Sequence, residues 1–178
     1  MNNPQESVDH FKSNDYRTIE QTMEKLSGGT RRLAAQLTTS ASFDSLWNVL
    51  TDYDRLNLYI PNLLSSKKIY QKNNNVHLKQ VGAQDFLGMK FSAEVTIDLF
   101  EDKELGLLKF SLIKGDFRKF EGSWKIQNIK NTSKNSLIYD LTVQGCQWMP
   151  IGMIEKRLKK DLSENLIAVD RQAKSSKN

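Results

Sequence analysis

The chain has 178 residues, which at roughly 150 residues per domain is one domain with a short extension. Hydrophobic residues make up 38% and charged residues 26%, enough to build a core and inconsistent with wholesale disorder. The formal charge is +5, and because Lys12, Arg17 and Lys25 stand against Glu6, Asp9, Asp15, Glu20 and Glu24, the first thirty residues are acidic and the rest of the chain is more basic than the total suggests.

A basic surface alone does not select a nucleic acid or an anionic membrane as partner. No apolar run reaches the roughly 18 residues of a membrane span, and the start MNNPQESVDHF lacks the apolar stretch of a signal peptide. The expected compartment is the cytoplasm, with peripheral contact to a membrane left open. A single cysteine, Cys146, excludes an internal disulfide framework.

In chain order, residues 1–30 read as a polar extension rich in Asn, Gln, Ser and Glu. Within it Ile19, Met23 and Leu26 recur at helical spacing, which predicts a short amphipathic helix closed by Gly28-Gly29, or else a disordered arm. From Arg31 to Thr39, Leu33, Ala35 and Leu37 alternate with Arg32, Ala34 and Gln36, as in a half-buried strand. Ser42 then stands as an N-cap before Phe43, Leu46, Trp47 and Leu50, an apolar helical stripe. Asp52 to Tyr59 fits a second short helix stopped at Ile60-Pro61, since proline biases its predecessor out of the helical region.

After Leu64 the period becomes two. Turn signals at Asn73–Asn75, Gly82, Gly88, Asp102–Gly106, Gly115-Asp116 and Asn131–Asn135 separate six strands. The clearest alternations are Phe91, Ala93, Val95, Ile97 and Leu99, and then Tyr139, Leu141 and Val143. Pro150 suits the first turn of a last helix reaching about residue 171. Its apolar side carries Ile151, Ile154, Leu158, Leu162, Asn165, Leu166 and Val169, with Lys156, Lys160 and Ser163 opposite. The result is an α+β fold in which an antiparallel sheet of about seven strands, with two short helices after the first, is crossed by the long C-terminal helix. The domain spans 31–172, and 173–178 are expected to be a disordered tail.

This order resembles the START-like, or SRPBCC, superfamily with its helix-grip fold, whose members include birch-pollen-allergen-like proteins. It is most similar to the polyketide cyclase/dehydrase and coenzyme Q-binding branch, in the versions of cyanobacteria and chloroplasts. The resemblance rests on Leu46-Trp47-x-x-Leu50-Thr51-Asp52-Tyr53 with Tyr59-Ile60-Pro61-Asn62-Leu63, on Phe120-x-Gly122-x-Trp124, and on Tyr139-x-Leu141-x-Val143 running into Trp148-Met149-Pro150. Ile154-Glu155-Lys156-Arg157-Leu158-x-x-Asp161-Leu162-x-x-Asn165-Leu166 completes it.

What the resemblance implies is a curved sheet gripping the last helix around a cavity for a hydrophobic molecule. Its lining would come from Phe91, Ala93, Val95, Phe110, Phe120, Gly122, Trp124, Tyr139, Leu141, Ile154, Leu158 and Leu162. The residues allow such space, because Ala93 and Gly122 put little volume on the inner face. The competing reading is that Phe110, Leu141 and Leu158 fill it. An entrance is expected at Phe86-Leu87-Gly88-Met89 and Trp148-Met149-Pro150. Apolar side chains there, beside Lys90, Lys156, Arg157, Lys159 and Lys160, would also suit an anionic membrane surface.

Chemistry beyond binding has few carriers. His10, His77 and Cys146 have no metal-ligand spacing, so no metal site is expected. Cys146 reads as a small hydrophobe rather than a nucleophile, and the glycines form no phosphate-binding loop, so no cofactor is expected. Tyr139 and Glu155 are the weak acid–base candidates. The competing readings are a core aromatic for Tyr139 and a first-turn carboxylate favoured by the helix dipole for Glu155.

The preferred functional reading is non-enzymatic binding or transport of a lipid, isoprenoid quinone or pigment-like molecule. The alternative is a polyketide cyclase or dehydratase-type enzyme using the same cavity. A ribosome- or RNA-associated factor is the third reading and not the expected one, since no stacking aromatics cluster among the cations along the chain.

Overall fold

The computed structural model describes residues 7–12, 18–86, 89–146 and 151–175, with the side chains at 7–12, 18, 84–86, 89–91, 151–154 and 156 left aside. Three strands, β1 (Ser7–Lys12), β2 (Thr18–Lys25) and β3 (Arg31–Thr39), precede α1 (Phe43–Thr51) and a 3-10 turn at Tyr53–Leu58. Then follow β4 (Leu63–Lys72), β5 (Asn75–Phe86), β6 (Met89–Asp102), β7 (Leu107–Gly115), β8 (Phe117–Asn128), β9 (Asn135–Gly145) and α2 (Ile151–Ser175). Among the described residues, nine strands form one antiparallel sheet in the order β1-β2-β3-β9-β8-β7-β6-β5-β4. The meander from β4 to β9 follows from its short turns, and β3 closes against β9 from Arg31↔Val143 to Thr39↔Asn135. This is the helix-grip architecture expected, with two strands more than about seven.

The extra strands come from the N-terminal segment, where the expected helix is corrected. Ile19 and Met23 share a face under either period because they are four residues apart. Gln21 decides between the two, since a strand buries it with them and a helix would not. Ile19 is 0%, Gln21 4% and Met23 8% exposed, and Gln21 Nε2 donates to the Lys159 carbonyl at 2.8 Å. The expected second short helix is present as a 3-10 helix, Tyr53–Leu58.

The first helix forms as its sequence requires. Ser42 accepts from the Ser45 backbone N–H at 3.2 Å, and Leu46, Trp47, Val49 and Leu50 are buried. Helix α2 lays Leu162, Leu166 and Val169 on β3 and β9. It runs past the expected end at 171 to Ser175, burying Ala173, so the expected tail begins inside the helix. Ser163, expected to face solvent, is 1% exposed, because α1 packs along that flank. On the same flank the fully buried Asp170 accepts from the Thr39 hydroxyl and pairs with Lys174 at 3.1 Å, tying the helix to the end of β3.

Register shifts in β4, between Thr96 and Ile97, and between Phe117 and Lys119 mark where the sheet bends. Gly122 corrects a second expectation, since it leaves no empty volume. A Cβ there would overlap the Asp140 carbonyl oxygen and lie 2.8 Å from Phe110 Cζ, and Phe110 is its cross-strand partner. Any side chain at 122 therefore displaces backbone. Gly122→Ala is expected to cost at least about 2 kcal/mol, a fall in thermal midpoint of roughly 4–8 °C readable by circular dichroism; an unchanged midpoint would contradict this close approach.

Candidate functional site

Burial along the inner face of the sheet is uneven. On β6 the inward Val95, Ile97 and Leu99 are buried but Ala93 is half-buried. On β7 Leu108 and Phe110 are buried and Leu112 is not; on β8 Ile126 is buried while Trp124 and Phe120 are half-buried. One half of the face is thus sealed by α1 and the C-terminal half of α2. The other half, beneath the start of α2 where Leu158 sits, keeps accessible apolar surface. Apolar surface left accessible on a concave face is the ordinary form of a small-molecule site.

An aromatic wall occupies this second half. Trp124 and Tyr139, partners in the β8–β9 register, stack with centroids 4.0 Å apart and planes 10° from parallel. Phe110 lies 6.3 Å from Tyr139 and 5.6 Å from Phe120, and Phe117 lies 5.4 Å from Phe120. Offset and tilted pairs at these distances hold one another's rotamers.

Opposite the wall is a small polar group that sequence reasoning missed. Asn62, in the left-handed region at φ 62°, offers its carbonyl to Ala83 N–H at 2.9 Å and donates from Nδ2 to Asp161 Oδ1 at 3.3 Å. The same carboxylate oxygen lies 3.1 Å from Arg157 Nε, one helical turn away. Alignment is poor there, and the Arg157 Nε–H has no hydrogen-bond acceptor among the described residues. The sequence signals were an Asn after Ile-Pro, and an i,i+4 Arg–Asp pair at the margin of the apolar stripe.

Tyr139 faces this group. It is 8% exposed, and its hydroxyl makes no hydrogen bond among the described residues. Burial first, and then the Asp161 carboxylate, push the hydroxyl above the ordinary tyrosine range. It therefore stays protonated at neutral pH, a donor aimed at the accessible half of the face and poorly suited to serve as a base.

Glu155 has a different place. It accepts from the buried Arg31 guanidinium and lies 3.7 Å from Lys25 Nζ, so it clips the start of α2 onto β3 and the end of β2. Arg31 pairs with Val143 while Tyr139 pairs with Ala35, which separates Glu155 from Tyr139 by four residues along the sheet. Leu141 and Leu162 belong to the sealed core. The side chains of Phe91 and Ile154, and those of the expected entrance, Phe86, Leu87, Met89, Trp148 and Met149, lie outside the described residues. Cys146 is half-buried. Among the described residues no three His, Cys, Asp or Glu side chains converge on a metal-sized site, and no helix is long and apolar enough to cross a membrane.

The model of the family described as polyketide cyclase / dehydrase and lipid transport matches residues 39–170. The chain belongs to that family. A search of curated sequences returns no match, but solved structures share the fold. A STAR-related lipid transfer protein from Xanthomonas axonopodis superposes with a TM-score of 0.79 at 10% identity, covering 95% of this chain and 98% of its own. Human StAR-related lipid transfer protein 5 gives 0.75 at 6%, covering 97% and 88%. The Zhui aromatase/cyclase from Streptomyces sp. R1128 gives 0.69 at 14%, covering 82% and 94%. At such identities the likeness is one of architecture, which both carriers and enzymes share.

Two outcomes follow. Glu155→Gln strands a buried arginine and is expected to lower stability by about 1–3 kcal/mol in urea denaturation; no change would mean that the clip is idle. Tyr53, Tyr59 and Tyr139 all have hydroxyls raised above the ordinary range, each chiefly by burial. The folded chain then holds protons that the unfolded chain releases above about pH 10. Stability is fully present below that pH and falls as pH rises; a flat profile from pH 9 to about pH 11 would contradict these assignments.

Proposed function

We propose that this protein binds a hydrophobic small molecule with one polar end, such as a lipid, isoprenoid quinone or pigment-like compound, and carries it without converting it. The reading rests on Tyr139. Its ring is largely buried in the aromatic wall, and its hydroxyl makes no hydrogen bond among the described residues, so that donor is open to a ligand oxygen. The ligand's apolar body lies against Phe110, Phe120 and Trp124 below Leu158, and its carbonyl or hydroxyl accepts from Tyr139. Arg157, Asp161 and Asn62 border that end and supply both donors and an acceptor. Burying roughly 300 Å² of apolar ligand surface contributes about 7 kcal/mol before ordering costs.

The family's description covers both transport and ring closure. Transport is favoured because the two acid–base candidates do not act together: Tyr139 is held protonated, and Glu155 is engaged by Arg31. The coenzyme Q-binding branch is the part of the family we place the chain with, which makes an isoprenoid quinone the first ligand to try. Contact with an anionic membrane surface would load the site.

The test is titration with a short-chain isoprenoid quinone, read by quenching of tryptophan emission. Saturable quenching is expected, and Tyr139→Phe should weaken it roughly 2- to 12-fold while leaving the fold intact. Ala93→Leu, which adds volume on the half-buried part of the face, should lower capacity further. Capture unchanged in both variants would remove this site from the account, and turnover of an offered polyketide abolished by Tyr139→Phe with binding retained would favour the enzyme.

A further inference from the structure

The opposite, outer face of the sheet carries a second arrangement, independent of the cavity. At the β4–β5 hairpin an open groove of about 720 Å³ is lined by Tyr70, Lys72, Asn73–Asn75, His77, Asp98 and Phe100. Two of its rings are unusually exposed for aromatic side chains, Tyr70 at 45% and Phe100 at 44%. Tyr70 lies against the His77 imidazole with centroids 4.7 Å apart.

The pairing register orders what surrounds these rings. One rung across the sheet is Lys67–Lys79–Thr96–Lys114, the next Tyr70–His77–Asp98–Ser111, and the third Lys72–Asn75–Phe100–Lys109. Successive rungs are two residues apart along β5, about 6.7 Å. Of the anions on this face, Glu94 lies 2.9 Å from Lys79 Nζ, Asp102 accepts from the Leu105 N–H, and Asp98, 3.4 Å from His77 Nε2, keeps an Oδ1 without a hydrogen-bond donor among the described residues. Lys67, Lys72, Lys109 and Lys114 are exposed and have no ion-pair partner among the described residues. The Tyr70–His77 pair thus stands between two lysine-bearing rungs, and Phe100 lies within one of them, between Asn75 and Lys109.

The ligand such a surface fits has planar apolar rings and regularly spaced negative charges together. We infer that this outer face of β4–β7 is a docking surface for single-stranded nucleic acid. Bases stack on Tyr70–His77 and Phe100, which any base can do. Phosphates lie along the lysine rows, and the Asn73–Asn75 amides offer hydrogen bonds to base edges or sugars. A duplex is not accommodated, because its bases are already stacked on one another.

The test is fluorescence anisotropy of the full chain with a labelled single-stranded RNA of about twelve nucleotides, across a sodium chloride series. Four neutralised phosphates predict a slope of about −2.8 for log affinity against log salt, and Lys109→Ala should reduce it by about 0.7. Tyr70→Ala and Phe100→Ala should each weaken binding roughly ten-fold at fixed salt, while Phe100→Trp retains it. All these side chains are exposed, and circular dichroism of each variant checks that the fold is kept. Absence of binding at about 50 mM salt, salt-dependent binding indifferent to Tyr70 and Phe100, or equal affinity for a duplex would each overturn the inference. Capture of a neutral oligosaccharide by the same rings in preference to RNA would overturn it too. Quinone titration reads the inner face separately, so the two proposals fail independently.

Discussion

Helix α2 lies along the inner face of the sheet, and the rest of the molecule is arranged around that contact. A 25-residue helix has one apolar stripe, and here Leu162, Leu166, Val169 and Ala173 bury it against strands from opposite ends of the chain. The sheet must therefore present β3 beside β9, which closes the N-terminal strands onto the end of the meander. Polar contacts fix the helix at both ends. Asp170 with Thr39 and Lys174 holds the C-terminal half, and Glu155 with Arg31 and Gln21 on the Lys159 carbonyl hold the start. These bonds add modest net energy but make any other helix position costly, because each would leave a buried group unpaired.

The same contact accounts for the site. Sealing requires α1 on the flank of α2, and α1 covers only the half of the inner face near Leu46, Leu50 and Leu166. Toward the start of α2 the wall is built from large aromatics that pack on one another, and Ala93 and Leu112 beside them stay half-buried. Interiors normally close-pack, so a half-sealed face with a protonated, unpartnered hydroxyl invites occupation. The Arg157–Asp161 pair nearby is close to neutral as a unit, which suits a polar uncharged ligand end better than a free carboxylate.

Much of this was legible in the residues. Strands with strict alternation, the Ser42 cap and the long apolar stripe of α2 follow from local pattern, and their order carries the fold. What local pattern could not resolve has physical causes. Ile19 and Met23 satisfy both helical and strand periods, so only burial of Gln21 against α2 reveals β2. Ser163 reads as solvent-facing until α1 is placed on it. Asn62 and Asp161 are 99 residues apart and meet only because Asn62 takes a left-handed turn. Gly122 reads as spare room, although backbone and the Phe110 ring already occupy it. The outer aromatic groove depends on the β4 register shift between Lys68 and Tyr70, which no single strand discloses.

The central claim is that the inner face is a binding cavity rather than an incompletely packed core. Native mass spectrometry of gently purified protein, followed by organic extraction and identification of whatever accompanies it, tests this most directly. The account predicts a stoichiometric hydrophobic compound bearing one carbonyl or hydroxyl end, lost from the Tyr139→Phe variant under the same handling. An unliganded mass from its native host, unchanged when lipids and quinones are added back, would contradict it.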